Sequence, residues 1–167
     1  MKELLLQLTG YNHWANETLA NSMESLPDSM LHEELPGSFT SIHKTWQHLL
    51  YAERIWWNRL LRHEKQTTQL PETVEADTKT IIAELLQQSA DWHQYVINTT
   101  PEELNALFAF VTKKGLAIQQ PLHEAVMHLC MHGAYHRGQL VTQLHQCGVH
   151  TIPQTDLLIY QLKLQSS

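Results

Sequence analysis

Cysteine, glycine and charged residues are all scarce in this sequence of 167 residues. Its two cysteines, Cys130 and Cys147, cannot form the disulfide framework of a small secreted domain. Charged residues make up 17% of the chain, compared with about 25% in an average domain. Because 43% of the residues are apolar, the composition excludes an intrinsically disordered chain. It predicts a single globular domain over residues 1–167.

Long apolar runs and an excess of positive charge are also missing. No run approaches the roughly 20 apolar residues of a membrane-spanning helix, and the N terminus lacks a signal-peptide pattern. We therefore expect a soluble, cytoplasmic protein without a membrane partner. The formal net charge of −6 offers no basic surface to a phosphate backbone, which argues against nucleic acid as a partner. Histidine, in contrast, is abundant, since 12 histidines outnumber the 11 lysines and arginines together.

Prolines divide the chain into blocks, and the blocks carry helical periodicity. Four long helices are predicted, over Glu3–Leu26, from about Ser41 to Arg62, from an N-cap at Asp77 to about Asn98, and from Pro121 at N1 to about Cys147. The predicted fold class is therefore all-α, a four-helix bundle with a long crossover connection between the second and third helices, residues 62–77.

Three shorter elements complete the prediction. One helical turn is expected at Glu102–Ala106 and a short C-terminal helix at Asp156–Leu164. The segment Phe108–Gln119 alternates in polarity around Lys114-Gly115, which is compatible with a small hairpin before the last long helix. Because an isolated hairpin is marginally stable, it would have to pack against the helices.

Histidines of the fourth predicted helix recur at four-residue spacing. His132 and His136 lie at the edge of its apolar stripe and within it, one turn apart, so both imidazoles could reach one cation. His128 is rotated by about 80° from His136, and we expect His123 and His145 on the opposite side to be solvated. A chain of this length with 12 histidines contains about one pair at four-residue spacing by chance. The alternative to a metal site is therefore that these are core histidines bonded to backbone or water.

A metal site would need a third ligand from another helix, because zinc and nickel sites use at least three protein groups. His48, in the middle of the second predicted helix, is the best candidate, although it lies beside the centre of that helix's apolar stripe. Glu53 is a candidate general base or hydrogen-bond acceptor behind a ligand, and a buried structural role fits it as well. Cys130 lies about 120° round the helix from His136 and is expected to pack as a small hydrophobic residue.

Three segments carry recognisable motifs: Tyr11–Asn16 (YNHWAN), Ser41–Trp56 (SIHKTWQHLLYAERIW) and His132–Leu140 (HGAYHRGQL). Through them the sequence resembles the DinB family, the DinB/YfiT-like metalloenzymes, along nearly its whole length. The resemblance implies a four-helix bundle that binds a divalent metal ion through three histidines. Carried over by position, the three ligands are His48, His132 and His136. It also implies a homodimer.

The chemistry follows from the ligand set that the resemblance implies. Three neutral imidazoles would leave a metal ion doubly positive with open positions, so that a bound water ionises near neutral pH or a thiol binds as thiolate. The predicted function is a metal-dependent enzyme acting on a small molecule, either a hydrolase or, as in several members of the resembled family, an S-transferase using a low-molecular-weight thiol. Zinc and nickel are the first candidates for the ion. The alternative is a non-enzymatic helical-bundle binding protein with a degenerate metal site.

Overall fold

Four long helices form the body of the protein in the computed structural model, which describes residues 1–61, 71–112 and 114–166. They are α1 (Lys2–Asn21), α3 (Ile42–Leu61), α4 (Thr78–Asn98) and α6 (Leu122–Gln146). Both α1 and α3 pack against α4 and α6. The predicted four-helix bundle is thereby confirmed. Residues 62–70 of the predicted connection, which include Arg62 at the predicted end of the second helix, lie outside the described residues.

Smaller elements fill the links between the long helices. They are α2 (Asp28–Leu31), α5 (Pro101–Asn105), β1 (Leu107–Val111), β2 (Ala117–Pro121) and α7 (Leu157–Gln165). The two strands pair antiparallel, with Phe110 opposite Ile118, as the alternating segment suggested. Phe110 is buried and its ring centroid lies 5.0 Å from that of Trp56 in α3, so the hairpin packs against the bundle as expected. No helix in the described ranges combines the length and hydrophobicity needed to cross a membrane.

The structure confirms one predicted helix cap and corrects two predicted helix ends. The Asp77 carboxylate accepts a hydrogen bond from the Thr80 amide at 2.7 Å, which confirms the predicted N-cap of α4. The predicted end of the first helix at Leu26 is wrong, because α1 stops at Asn21. There the Ser22 hydroxyl donates to the Leu19 carbonyl at 2.7 Å and tight turns follow. Pro121 was predicted at N1 of the last long helix but is the N-cap of α6, so the helix begins one residue later than predicted.

Two apolar clusters fill the bundle, and polar side chains lie between them. Along α1, Leu19 belongs to one cluster and Leu5 to the other. Asn12 and Asn16, which lie between these leucines in the sequence, are fully buried as well. The middle of the bundle therefore contains a polar layer, and it adjoins the segment of α6 that carries His132 and His136.

Candidate metal centre

Three histidine side chains from two helices meet at the edge of the bundle. Nε2 of His48, on α3, lies 3.1 Å from Nε2 of His132 and 3.1 Å from Nε2 of His136, both on α6. Among the described residues these three form a group whose ligand atoms all lie within 4.8 Å of one another. His48 and His132 are partly exposed, whereas His136 is buried. The structure therefore brings together all three histidines that were selected from the sequence.

The donor set fits a divalent cation. Two nitrogens that bind one tetrahedral zinc ion at 2.0–2.1 Å are about 3.3 Å apart, close to the 3.1 Å that separates His48 Nε2 from each partner. Without a cation, a pair of imidazole nitrogens at this distance needs one N–H between them, and a single N–H cannot serve two neighbours equally well. Three converging Nε2 atoms are thus better matched to a shared ion than to one another.

Gln139 determines which nitrogen of His136 carries a proton. The Nδ1–H of His136 donates to Gln139 Oε1 at 2.7 Å, one turn further along α6. Because the amide oxygen can only accept, the lone pair of His136 is at Nε2, which points toward the cluster. A hydrogen bond from the second ring nitrogen is the usual support for a metal-binding histidine.

Phe39 covers the cluster from the segment that precedes α3. Its ring stacks on His48 with centroids 4.4 Å apart and meets the edge of His136 at 5.4 Å. The Gln143 side chain holds this segment, since its Nε2 donates to the Phe39 carbonyl at 2.9 Å while its Oε1 accepts from the Thr45 hydroxyl at 2.8 Å. Phe39 and Gln143 were missed by the sequence reasoning, because nothing in the local pattern indicates that this segment folds over the histidines.

The surroundings keep the imidazoles of His132 and His136 neutral. Burial lowers the pKa of His132 to about 4, and the neighbouring rings of His136 and His48 add to this effect. Burial also lowers the pKa of His136, although the hydrogen bond with Gln139 acts in the opposite direction. At neutral pH both nitrogens therefore offer lone pairs, the state required of a metal ligand.

Two cavities lie beside the cluster, and Phe39 lines both of them. The first, which we call the His48 cavity, has a volume of about 360 Å³ and is lined by His48 and Tyr51 among others. The second, the Gln139 cavity, has a volume of about 380 Å³ and lies between Phe39 and the later turns of α6. A small molecule therefore has room beside the histidines.

Glu53 lies in the polar layer of the bundle. Its Oε1 accepts from Asn12 Nδ2 at 2.9 Å and from the Ser89 hydroxyl at 3.4 Å, and the side chain is buried. Arg137 joins the same network through Asn12, whose Oδ1 accepts from the guanidinium at 2.7 Å. Burial raises the pKa of Glu53 to about 7, while Asn12 and Arg137 act to lower it. Its contacts are those of a structural partner, and a catalytic role stays a prediction.

The remaining singled-out residues lie outside the cluster. His128 stacks beside His132, with centroids 5.8 Å apart, and next to Trp56. Cys130 is buried, and burial raises the pKa of its thiol to about 12, in keeping with the expected hydrophobic packing. His145 is exposed as expected. His123 was expected to be solvated, but it is partly buried and its Nδ1 donates to the Leu104 carbonyl at 2.9 Å, because α5 packs there.

Fold and site together define a class of protein, the four-helix bundle with a three-histidine cluster between two of its helices. The family model described as the DinB family matches residues 1–164, and the chain belongs to that family. Protein DinB of Bacillus subtilis (strain 168) is 25% identical over 166 residues, which cover 96% of this chain and 95% of that protein.

Two solved structures share the fold. YfiT from Bacillus subtilis, described as "a probable metal-dependent hydrolase with an unusual four-helix bundle topology", matches with a TM-score of 0.68 and 15% identity, covering 89% of each chain. A DinB-like protein from Bacillus cereus ATCC 10987 matches with a TM-score of 0.66 and 22% identity, covering 91% of this chain and 95% of that one. At these identities the likeness concerns the fold alone.

Proposed function

We propose that the protein is a divalent-metal-dependent enzyme in which His48, His132 and His136 hold the ion. The observation that carries the proposal is the convergence of three Nε2 atoms, with both distances from His48 at 3.1 Å. The support from Gln139 and the depressed pKa of His132 agree with a ligand role. Zinc and nickel are the first candidates, because neutral imidazoles suit both ions.

Hydrolysis of a small molecule is the reaction type that we favour. A bound ion would supply Lewis acidity and lower the pKa of a coordinated nucleophile. The chain's own part is to hold three neutral nitrogens in place, to shield one side with Phe39, and to leave the His48 cavity for a substrate. The description of YfiT as a probable metal-dependent hydrolase supports this choice. Transfer to a low-molecular-weight thiol is the alternative use of the same site.

The experiment that tests the reaction type is an activity screen on tag-free protein loaded with zinc or nickel. Ester, amide and phosphoester substrates are assayed without thiol, and electrophilic substrates with a small thiol added. Turnover without thiol supports the hydrolase, whereas turnover only with thiol supports the S-transferase. His132→Ala should lose the activity and the exposed His145→Ala should keep it. Protein that binds no stoichiometric metal and turns over none of these substrates would favour the alternative, a non-enzymatic binding protein with a degenerate metal site.

We also infer a cytoplasmic homodimer, as the family resemblance implies. Leu158 and Leu162, one turn apart on α7, are 62% and 51% exposed and offer an apolar surface for a second copy to cover. Light scattering after size exclusion should then give twice the chain mass of 19.3 kDa. A mass of one chain at micromolar concentration would contradict the dimer.

A further inference from the structure

The Gln139 cavity combines a useful size with an uncharged wall. Its volume of about 380 Å³ falls in the range of small-molecule sites, roughly 300–1,000 Å³. Three glutamines, a serine, a threonine and a tyrosine supply hydrogen-bonding groups, and Phe39 and Pro36 supply apolar surface. None of the described residues that line it is an acid, a base or a histidine.

The cavity is connected to the histidine cluster through the residues that surround His136. Phe39 and Tyr135 both meet the edge of the His136 ring, with centroids 5.4 Å and 5.0 Å away. Gln139 belongs to the cavity wall and to the cluster, since its Oε1 accepts from His136 Nδ1. Its amide nitrogen has no hydrogen-bond partner in the described part of the chain and can donate to a ligand oxygen.

We propose that the Gln139 cavity binds the uncharged, hydrogen-bonding portion of the small molecule on which the three-histidine site acts, a portion bearing carboxamide or hydroxyl groups. The inference rests on the proposed function, because it assigns a binding site to the substrate of that centre. A neutral polar group can exchange its water for the carboxamides and hydroxyls of this wall. A carboxylate or an ammonium group would lose hydration without meeting a counter-charge there.

Gly138 provides a way to close the cavity without disturbing the cluster. This exposed helical glycine lines the cavity, and an added Cβ would meet no atom within 4 Å. Gly138→Phe should therefore fill the space, whereas Gly138→Ala adds one carbon and serves as the matched control. Gln146→Glu, an almost isosteric change in the same wall, introduces a negative charge.

The test is a set of nuclear magnetic resonance titrations on zinc-loaded protein with three probes of one length: neutral glutaramide, anionic glutarate and cationic 1,5-diaminopentane. Glutaramide should give saturable shifts at the backbone amides of Gly138, Gln139 and Thr142. It should bind at least about tenfold more tightly than either charged probe. Gly138→Phe should lower the affinity for glutaramide about tenfold or more, whereas Gly138→Ala should leave it unchanged. Gln146→Glu should raise the affinity for 1,5-diaminopentane about threefold.

A second arm separates this inference from the metal proposal. The same titrations on His132→Ala remove one proposed ligand while leaving the cavity wall intact, so the preference for glutaramide should persist. Wild-type protein that binds no zinc but still binds glutaramide in this cavity would contradict the metal proposal and leave the assignment of the cavity intact. Three results would overturn the assignment of the cavity. They are the absence of saturable glutaramide binding, binding of a charged probe to His132→Ala as tight as that of glutaramide, and an unchanged affinity of Gly138→Phe for glutaramide.

Discussion

His136 acquires its role from two neighbours, one close to it in the sequence and one far from it. Its position on the apolar stripe of α6 could be predicted from helical spacing, as could that of His132. The direction of its lone pair depends on Gln139, and its ring is packed by Phe39. The three-residue spacing from His136 to Gln139 is a signal that could have identified the first contact.

Gln139→Ala should weaken metal binding without unfolding the protein. The variant removes the acceptor of the His136 Nδ1–H bond, so that the ring can rotate and its tautomer is no longer held. Loss of such a supporting bond costs about 10–100-fold in metal affinity. Competition titration with a zinc-binding dye measures the change, and Gln146→Ala on the same helix is the control. Equal affinities of Gln139→Ala and wild type would contradict the role given to Gln139.

Glu53 leads to a prediction about stability and pH. Burial raises its pKa to about 7 in the folded protein from the ordinary glutamate value of 4.5. The folded state therefore binds the proton more tightly, and this carboxyl makes the protein less stable as pH rises through that window. Glu53→Gln removes the effect, so the variant should gain up to about 3 kcal/mol relative to wild type between pH 4.5 and pH 8.

Urea denaturation at several pH values, with chelator present, measures this difference between Glu53→Gln and wild type. The lowered pKa values of His132 and His136 change the free energy of unfolding with pH in the opposite direction. Because both proteins contain these histidines, their contribution cancels in the comparison. Stability profiles of wild type and Glu53→Gln that run parallel would contradict the prediction. They would show that Glu53 is ionised throughout the range and is stabilised by the charge of Arg137, to which Asn12 links it.

At the scale of elements, the close contact of α6 with α1 sets the position of two of the three histidines. Gly133 follows His132 directly, and a Cβ there would lie 2.6 Å from Asn12 Oδ1 and 3.0 Å from Arg137 Nη1. Arg137 follows His136 and donates to Asn12 and Asn16 on α1 at 2.7 Å and 2.8 Å. The glycine allows the close approach, and the arginine holds it.

Gly133→Ala should therefore destabilise the protein by about 1–3 kcal/mol, the usual cost of inserting a carbon into a packed interior. Gly138→Ala is the matched control on the same helix, because its new Cβ meets nothing within 4 Å. That change should be neutral or stabilising by up to about 1 kcal/mol, since alanine favours helix over glycine. Thermal unfolding of both variants makes the comparison, and equal effects would contradict the contact described between α1 and α6.

Element boundaries were predictable where a local interaction sets them. The Asp77 side chain caps α4 as predicted, because an N-cap needs one carboxylate and a nearby amide. The end of α1 was not predictable from periodicity, since Met23 keeps the helical spacing and is buried although the helix has already ended. Tertiary packing, not the helical pattern, places that residue in the core.

At the scale of the whole molecule, the packing order of the helices explains the position of His48. Because α3 packs against both α4 and α6, its buried surface faces two neighbours. A histidine beside the centre of the apolar stripe can then face α6, where His132 and His136 lie. The sequence motifs selected the three histidines, but the segment around Phe39 and the polar layer depend on contacts between distant parts of the chain.

Metal stoichiometry tests the central claim most directly. Tag-free wild-type protein, grown with zinc and nickel supplied, is measured by elemental analysis beside His48→Ala, His132→Ala, His136→Ala and the control His145→Ala. We predict about one ion per chain in wild type and in His145→Ala, and loss of the ion in each of the three cluster variants. Wild-type protein without stoichiometric metal, or cluster variants that retain it, would contradict the three-histidine centre.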